Sequence, residues 1–412
     1  MKVLHISTSD SGGAGLCCIR LHKSLISNGI DSKVLVLNKE YDDPKVYKYV
    51  KKNTRLPKFI RWPVRFMALL LQKLNIPVSQ MTFYQYKLNK LRQKKSPFYT
   101  LPFSEYKLNE HELVKEADII HLHWIAGFID YPSFFKNLDK PVVWTLHDEN
   151  LYFGGFHYRH EMENCSLVYD RLEKKLITIK RKSIARARNL TIISLSETMR
   201  NLSLSNPIVR NRNHHLINNS VDYNVFRPFD KKISRDILNL PENKKILAFV
   251  SLSLFDSRKG LKELIQALSE LNYQNLALCA VGKAENRLIT PVEIYYTGVI
   301  TDPRLLSIVY SAADVFVMPS FQEAFSQTPL EALACGTPVI AFPCSGTKEL
   351  IDGGNGIRTK DFTVESLKDG IQKALETKYD NAWLRKDVIS RFAPEHISRQ
   401  YLKVYKELTV IE

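Results

Sequence analysis

The chain has 412 residues, of which 44% are hydrophobic and 25% charged, so it has enough length and apolar content for two or three globular domains. Its net charge of +16 indicates that the protein binds an anionic partner, and the candidates are nucleic acid, an anionic membrane and anionic substrates. No run of about eighteen apolar residues occurs, so we predict no transmembrane helix. The six cysteines lack paired spacing, which predicts reduced thiols in a cytosolic chain.

The chain starts with a strand–helix–strand pattern. Residues 2–7 predict a strand, the glycine-rich loop at 9–15 opens a helix to about Asn28, and residues 32–37 predict a second strand. Such a loop can bring backbone N–H groups close to a phosphate. It does not have the G-x-G-x-x-G spacing, so taken alone it is equally an ordinary tight turn.

Residues 51–95 differ from this pattern because they are strongly basic. They contain twelve lysines and arginines, no aspartate or glutamate, and interleaved aromatic and aliphatic residues. This composition is typical of a helix on an anionic lipid surface, where each basic residue contributes about 1 kcal/mol. The alternative is a helical hairpin packed on its domain with solvated charges. Nucleic acid is disfavoured, because the segment has no binding motif and no regular aromatic spacing.

Two predicted strands end in histidine. Residues 118–124 (DIIHLHW) and 141–148 (PVVWTLHD) are apolar runs that finish in polar side chains, at the end of a parallel strand where sites form. His121 and His123 point to the same side of their strand. With His147 and Asp148 they could ligate zinc, but no Cys/His framework supports this, so we predict no metal site.

The second half of the chain repeats the α/β pattern. A long basic helix is predicted at 167–188 and a linker at 220–243. The strand at 245–251 leads to Arg258 and Lys259, which precede a helix. A lysine beside free N–H groups at a helix start suits a diphosphate.

The next predicted strand, at 276–281, leads to Gly282, where a nucleotide base could stack. Further along the chain, a strand at 314–318 is followed by a loop that carries Glu323. Thr328 and Glu331 then form a predicted capping box, with Thr328 as the N-cap. The N-terminus of this helix suits a phosphate, and the two carboxylates could accept hydrogen bonds from sugar hydroxyls.

The string at 320–340, SFQEAFSQTPLEALACGTPVI, resembles the E-x7-E signature of the retaining glycosyltransferases of family 4, which have the GT-B fold. The segment at 217–228 and the H-x-H and T-x-H-D strand ends are similar to other parts of that family. Residues 153–158, with Cys165 beyond them, resemble its exopolysaccharide and capsule branch.

The resemblance implies an α/β, GT-B architecture of two Rossmann-like doubly wound domains that face a cleft. Residues 1–219 would form the acceptor-side domain with its basic amphipathic insert, and 220–243 the linker. Residues 244–392 would form the nucleotide-sugar donor domain, and 393–412 a helix that crosses back to the first domain.

The resemblance also implies roles for single residues. Glu323 would face the donor sugar, Glu331 the ribose hydroxyls, and Lys259 the donor diphosphate. The glycine-rich loop would face the donor phosphates and the acceptor, and one histidine, His123 or else His147, would line the acceptor side. The implied catalytic residues are Glu323, His123, His147 and Lys259, and the implied donor-binding residues are Glu331, Arg258, Gly12, Gly13, Ala324, Phe325, Ser326 and Gly282.

The implied reaction moves a sugar from a UDP- or GDP-linked donor, with retention of configuration, to a hydroxyl of a growing lipid-linked surface polysaccharide. Capsule, exopolysaccharide and lipopolysaccharide are the implied products. The sequence has no D-x-D motif, so we expect no required metal or other cofactor. The expected location is cytoplasmic and peripheral at the inner face of the cell membrane, through residues 51–95, with no nucleic-acid partner.

Two other classes of function remain open. One is a glycan- or nucleotide-binding protein that kept the fold without turnover, which a donor-hydrolysis assay would distinguish. The other is a nucleotide-sugar epimerase or phosphorylase on the same fold, which product analysis without acceptor would reveal. A basic nucleic-acid binder is a more distant alternative, tested by a salt-dependent gel shift.

Overall fold

The computed structural model describes residues 1–51, 79–91, 97–136, 138–271, 273, 275–285 and 290–409. Residues 52–78 and 92–96, which are most of the basic segment predicted at 51–95, lie outside this set. The chain forms two compact units. Unit 1 comprises Met1–Ser194, Arg200–His215 and Val404–Glu412, and unit 2 comprises Leu195–Met199 and Leu216–Lys403. The predicted linker at 220–243 lies within unit 2.

Unit 1 is built on a seven-stranded sheet. Its strands are β1 (Lys2–Ser9), β2 (Asp31–Asn38), β3 (Val46–Lys48), β4 (Ile119–Leu122), β5 (Val142–Leu146), β6 (Leu190–Ser194) and β7 (Asn213–Leu216). Their order is β3-β2-β1-β4-β5-β6-β7, and neighbours from β3 through β6 pair in parallel. Strands β4, β5 and β6 are buried throughout, as their mostly apolar sequences require.

The strand order of this sheet reverses between β1 and β4, which is where ligands bind in doubly wound folds. His5 of β1 is the register partner of His121 of β4 at this point. The α-helices that the described residues of this unit form are α1 (Gly12–Ser27), α2 (Gln80–Leu91), α3 (Glu112–Glu116), α4 (Tyr131–Phe134), α5 (Arg159–Ile184) and α6 (Glu197–Ser205), whose first three residues belong to unit 2. The basic helix predicted at 167–188 is α5, which begins eight residues earlier and ends at Ile184.

The part of the basic segment that the structure describes packs on unit 1. Leu88 of α2 is buried and belongs to an apolar cluster with Tyr169 and Leu172 of α5. The Tyr84 ring stacks on Phe103 with centroids 5.3 Å apart. Helix α2 thus packs on the domain core through Leu88, while its other side chains are partly or fully exposed.

Unit 2 is built on a six-stranded parallel sheet. Its strands are β8 (Lys245–Ser253), β9 (Leu276–Lys283), β10 (Glu293–Gly298), β11 (Val315–Met318), β12 (Val339–Ala341) and β13 (Gly356–Arg358). Their order is β10-β9-β8-β11-β12-β13, so the order reverses between β8 and β11. The helices are α7 (Lys231–Ile237), α8 (Leu261–Glu270), α9 (Pro303–Ala312), α10 (Gln327–Ala334), α11 (Thr347–Leu350), α12 (Val364–Glu376), α13 (Asn381–Phe392) and α14 (Pro394–Thr409).

A glycine allows the loops after β8 and β11 to meet. Gly260 has φ +72°, and a Cβ at this position would lie 2.0 Å from the Pro319 carbonyl oxygen. Nearby, the backbone N–H of Phe321 donates to the Arg258 carbonyl at 2.9 Å. Only glycine tolerates both the left-handed backbone and this close approach. The glycine therefore holds the two loops together at the reversal point.

The capping box predicted for α10 is wrong. The helix begins at Gln327, its N-cap is Ser326, and this residue makes no side-chain capping bond. Thr328 lies inside the first turn, where its hydroxyl is 3.2 Å from that of Ser326. The helix is instead held by burial, because nearly all of its side chains from Pro329 onward lie in the core.

The last helix, α14, contributes to both units, since its residues from Val404 onward belong to unit 1. Tyr405 is completely buried there, and its hydroxyl is 2.6 Å from His121 Nδ1. Among the helices that the structure describes, none has the length and apolar composition of a bilayer crossing.

Candidate active site

Three histidines form a hydrogen-bonded chain in unit 1. His147 directly follows β5, His123 directly follows β4, and His5 lies within β1. His147 Nε2 is 3.1 Å from His123 Nδ1, and His123 Nε2 is 3.0 Å from His5 Nδ1. His147 is half-buried, whereas His123 and His5 are buried. The hydrogen-bonded histidines therefore extend from the carboxyl ends of the strands into the core.

The inner end of this chain indicates which nitrogens carry protons. Among the described residues, none offers a hydrogen-bond partner to the buried Nε2 of His5. Orphaned buried N–H groups are rare because they lose a strong bond to water, so we assign the His5 proton to Nδ1. His5 then donates to His123, and His123 donates from Nδ1 to His147 Nε2. His147 is left with its own proton on Nδ1.

Burial keeps the three histidines neutral. Burial lowers the pKa of His5 and His123 well below 6.5, and the neighbouring histidines lower it further. The pKa of His147 is lowered by burial to about 4, although Asp148 opposes the shift. At neutral pH, His147 is therefore a neutral donor, able to bind a hydroxyl or phosphate oxygen but not to supply positive charge.

His5, His121 and His123 each bring a ligand atom within 4.8 Å of the others, as a metal site would require. However, His121 Nδ1 bonds Tyr405 Oη at 2.6 Å, and His121 Nε2 bonds the Thr145 hydroxyl at 2.8 Å. Both nitrogens of His123 are bonded to histidines. An ion would replace these bonds without gaining a carboxylate ligand, so the cluster fits a neutral hydrogen-bonded network better than a metal centre.

Asp148 lies beside the histidine chain and is held by three donors. Its Oδ2 accepts from Trp124 Nε1 at 2.8 Å and from His157 Nδ1 at 2.5 Å, and its Oδ1 accepts from the Asn150 backbone N–H at 2.9 Å. Burial alone would raise the pKa of Asp148, but His157 and these bonds lower it below its ordinary value. A cavity of about 20 Å³ is lined by Asp148, His123 and His147 and has room for one hydroxyl.

The predicted glycines Gly12 and Gly13 are the first two residues of α1. A Cβ at either position would meet no atom within 4 Å, so the backbone there is open to a ligand. Gly15, which the sequence analysis did not select, is the crowded one, because its Cβ would lie 2.6 Å from the Asp10 carbonyl carbon. Asp10 is buried and accepts two backbone N–H bonds from the loop after β2. Packing thus requires Gly15, while the other two glycines stay accessible.

In unit 2, the loops after β8 and β11 bring a carboxylate against two cations. Lys259 Nζ is 2.5 Å and Arg258 Nη1 3.8 Å from Glu323 Oε1. The Arg258 guanidinium also donates to Asp256 Oδ2 at 3.0 Å and to the Gln322 carbonyl at 3.1 Å. The structure therefore brings together three of the residues that the sequence selected, at the reversal point of the sheet.

The two cations keep Glu323 ionised. Its side chain is only 11% exposed, and burial alone would raise its pKa. The charges of Lys259 and Arg258, with hydrogen bonds from Lys259 and Ser320, outweigh burial and lower the pKa below its ordinary value. Glu323 is therefore an anionic acceptor at neutral pH, and Lys259 a cation that an anionic ligand can draw away from it.

Ala324, Phe325 and Ser326 form the turn into α10 and are nearly buried. The Phe325 ring packs 5.9 Å from that of Phe392, so it is a core side chain. A Cβ on Gly346 would lie 2.9 Å from the Phe325 ring, which shows how closely the neighbouring loop approaches. What this turn offers a ligand is therefore backbone N–H groups at the start of an eight-residue helix.

Glu331 lies within α10 and is 6% exposed. Its Oε2 accepts from the Tyr310 hydroxyl at 3.0 Å, so Tyr310 positions this carboxylate. The predicted site residue Gly282 lies in β9 with φ +145°, and its Cβ would be 2.1 Å from the Ser251 carbonyl oxygen. Close strand packing alone accounts for that glycine, and base stacking there stays a prediction.

The sequence analysis missed His5, Asp256 and Tyr310. His5 gave a usable signal, because a histidine within an otherwise apolar strand needs a buried partner. Asp256 precedes the basic pair by two residues, but an acid in a loop is usually solvated. Tyr310 gave no signal, because its contact with Glu331 depends on how α9 and α10 pack.

The two units, each a doubly wound parallel sheet, define the GT-B class, and solved structures of that class share the fold. Sucrose-phosphate synthase from Thermosynechococcus elongatus is similar over the full length of both chains, with a TM-score of 0.66 and 20% identity. Anabaena HepE in complex with UDP-glucose is similar over 99% of this chain and 100% of its own, with a TM-score of 0.61 and 18% identity. The predicted α/β, GT-B fold is confirmed.

Residues 230–391 match the family described as Glycosyl transferases group 1. An uncharacterized glycosyltransferase of Methanocaldococcus jannaschii is 24% identical over 315 residues, which are 71% of this chain and 76% of that protein. The family match thus lies within unit 2, and together with the similarity to this relative it supports a glycosyltransferase activity.

Proposed function

We propose that the protein is a retaining, metal-independent glycosyltransferase that moves a sugar from a nucleotide-sugar to a hydroxyl of a lipid-linked surface glycan. The observation that carries this proposal is the Lys259–Glu323–Arg258 cluster beside the N-terminus of α10. It combines cations for a diphosphate with a carboxylate for sugar hydroxyls. HepE, a structural neighbour, was solved with UDP-glucose, which supports a donor of the same chemical class.

In this proposal, the diphosphate of the donor draws Lys259 from Glu323 and lies against the first N–H groups of α10. Lys259 and Arg258 stabilise the negative charge that develops as the sugar leaves. Glu323, freed from Lys259, accepts hydrogen bonds from the donor sugar, and Glu331 accepts them from the ribose. The acceptor attacks from the face on which the diphosphate leaves, which retains the configuration, and a phosphate oxygen takes the acceptor proton.

Unit 1 supplies the acceptor side in this proposal. The Nδ1–H of His147 donates to a hydroxyl oxygen, while Gly12 and Gly13 leave backbone open near the same strand ends. The lipid-linked acceptor is inferred from the basic composition of 51–95, and its place in a capsule, exopolysaccharide or lipopolysaccharide pathway from the family resemblance, including that of residues 153–158. The same composition suggests that the chain works at the cytoplasmic face of a membrane.

A thermal-shift panel of UDP, GDP, ADP and CMP tests the donor site, with Glu331→Ala as the site variant. The control is Glu376→Ala, which removes an exposed carboxylate of α12. A nucleotide at a hundred times its dissociation constant stabilises the protein by about 2.7 kcal/mol. We expect one nucleotide to raise the melting temperature of the native chain and the control, and to lose most of this effect in Glu331→Ala.

Two results would contradict the proposal. If no nucleotide shifted the melting temperature, the assigned donor site would be wrong. If a nucleotide bound but the matching nucleotide-sugar were neither transferred nor hydrolysed, the non-catalytic binding protein would be the better assignment. Whether the transfer needs a metal is tested separately with a chelator. We expect its addition to leave the transfer rate unchanged.

A further inference from the structure

The outer face of α5 in unit 1 is a strongly charged surface. From Arg171 to the turn after the helix, all the exposed charged side chains are basic. They are Arg171, Lys174, Lys175, Arg181, Lys182, Arg186 and Arg188. Most of them recur at helical spacing, so they form one continuous stripe, called here the α5 stripe.

The acidic residues within the stripe do not neutralise it, and the exposed Glu163 lies ahead of it, two helical turns before Arg171. Glu173 faces the domain, where its carboxylate accepts backbone N–H bonds from Gly155 and Phe156 at 3.1 and 3.2 Å. Asp170 is exposed and pairs with Lys174 at 2.9 Å, an exposed pair that contributes little. The stripe therefore keeps an excess of positive charge.

Large apolar side chains lie at the beginning of the same stripe. Leu167 is 95% exposed and Val168 48% exposed, and Leu167 precedes Arg171 by one helical turn. An exposed leucine that adjoins a basic stripe gains nothing in water, whereas at a bilayer surface its side chain enters the apolar boundary while the cations that follow it meet the headgroups.

The neighbouring helix extends the surface. Helix α2 packs on α5 through Leu88, and it contains Lys87 and Lys90 but no acidic residue. The two ammonium groups lie over aromatic rings of their own helix, at 4.0 and 4.6 Å from the ring centroids. Since α2 belongs to the basic segment at 51–95, the described part of that segment lies beside the stripe.

The first turn of α5, which precedes the stripe, lies near the acceptor half of the candidate site. The backbone N–H of Phe98 donates to Glu161 in the first turn of α5. The Phe98 ring stacks on Trp124, whose indole N–H holds Asp148. A bilayer that lies along α5 as far as its first turn would therefore be close to the strand ends where His147 lies.

We propose that the α5 stripe, with Leu167 at its beginning, is a docking surface for an anionic lipid bilayer. This deepens the proposed function, because it supplies the membrane contact that a lipid-linked acceptor requires. Vesicle binding needs neither donor nor acceptor, so the two proposals fail independently.

The test is co-sedimentation of the full chain with phosphatidylcholine vesicles, with and without phosphatidylglycerol. The stripe variant is Lys174→Gln/Lys175→Gln/Lys182→Gln, and the control is Lys373→Gln/Lys378→Gln/Lys386→Gln, three exposed lysines of unit 2. Both remove three positive charges. Each basic residue at an anionic surface contributes about fivefold to partitioning, so we expect a loss of roughly a hundredfold in the stripe variant and a small loss in the control.

The apolar part is tested with Leu167→Trp and Leu167→Ser. We expect the tryptophan emission of Leu167→Trp to shift to the blue with phosphatidylglycerol vesicles, and Leu167→Ser to bind them more weakly than the native chain. Circular dichroism and the melting temperature verify that all variants are folded. Equal losses in stripe and control variants would overturn the proposal, as would unchanged binding in the stripe variant. Tighter binding of a DNA duplex than of the anionic vesicles at the same salt concentration would overturn it in favour of a nucleic-acid surface.

Discussion

At the scale of single residues, the candidate site is defined by which groups carry charge and which do not. In unit 2, Glu323 stays ionised because two cations outweigh its burial. In unit 1, the histidines are neutral because burial dominates. The two units thus offer different electrostatic environments to a ligand, and each environment results from named contacts.

The tautomer of His147 is a direct prediction from the histidine chain. We expect nitrogen NMR of histidine-labelled protein at neutral pH to show the His147 proton on Nδ1, because His123 donates to Nε2. His5→Asn keeps a donor near the position of His5 Nδ1 and should preserve this state. His5→Phe removes the donor, so His123 and His147 should no longer be fixed in this tautomer. A His147 proton on Nε2 in the native chain would contradict the assigned direction.

Much of the candidate site could be predicted from the sequence, since Glu323, Lys259 and Arg258 lie in loops whose strands were predicted. What could not be predicted is the pairing within the site. The carboxylate of Glu331 was predicted to cap its own helix, yet it accepts from Tyr310 of α9, a partner fixed by helix packing. His5 was missed because strand register, which sets it opposite His121, is decided by the whole sheet.

At the scale of elements, the candidate site residues of each unit lie at or next to the point where the strand order of its sheet reverses. In unit 2 the loops after β8 and β11 carry the charged cluster, and Gly260 lets one loop approach the other. In unit 1 the ends of β4 and β5 carry the histidines. The succession of strands and helices follows from apolar patterning, while helix ends such as that of α10 depend on tertiary burial.

Gly260→Ala tests whether the approach of the two loops matters. Gly298 has a similar φ of +75° but open space around its Cβ position, so Gly298→Ala is the matched control. Alanine at the control position should cost about 1 kcal/mol of unfolding free energy from backbone strain alone. At Gly260 the clash with Pro319 should add about 1–3 kcal/mol. Equal urea midpoints for the two variants would refute this account.

At the scale of the whole molecule, the buried histidines make stability depend on pH. Their folded pKa values lie below 6.5, so below that pH the unfolded chain binds protons that the folded chain does not. Stability is therefore lost as the pH falls from 6.5 towards 4. Each such histidine contributes about 1.4 kcal/mol per pH unit in this window.

Urea unfolding between neutral and mildly acidic pH checks this prediction. His147→Asn removes one of these protonation sites, so its unfolding free energy should fall less steeply with acidity than that of the native chain, by about 1.4 kcal/mol per pH unit. His396, which is exposed, provides the control substitution His396→Asn. A native chain whose stability did not change over this range would show that the histidines are not desolvated.

The return of α14 to unit 1 has a consequence for the order in which the molecule is made. Tyr405 fills the core of unit 1 and bonds His121, yet it is separated from that strand by 284 positions of chain. During synthesis the first unit emerges long before this tyrosine exists. Its core can therefore close only after Tyr405 and the strands of unit 2 have been translated, so the site in unit 1 is completed late although its own strands are made first.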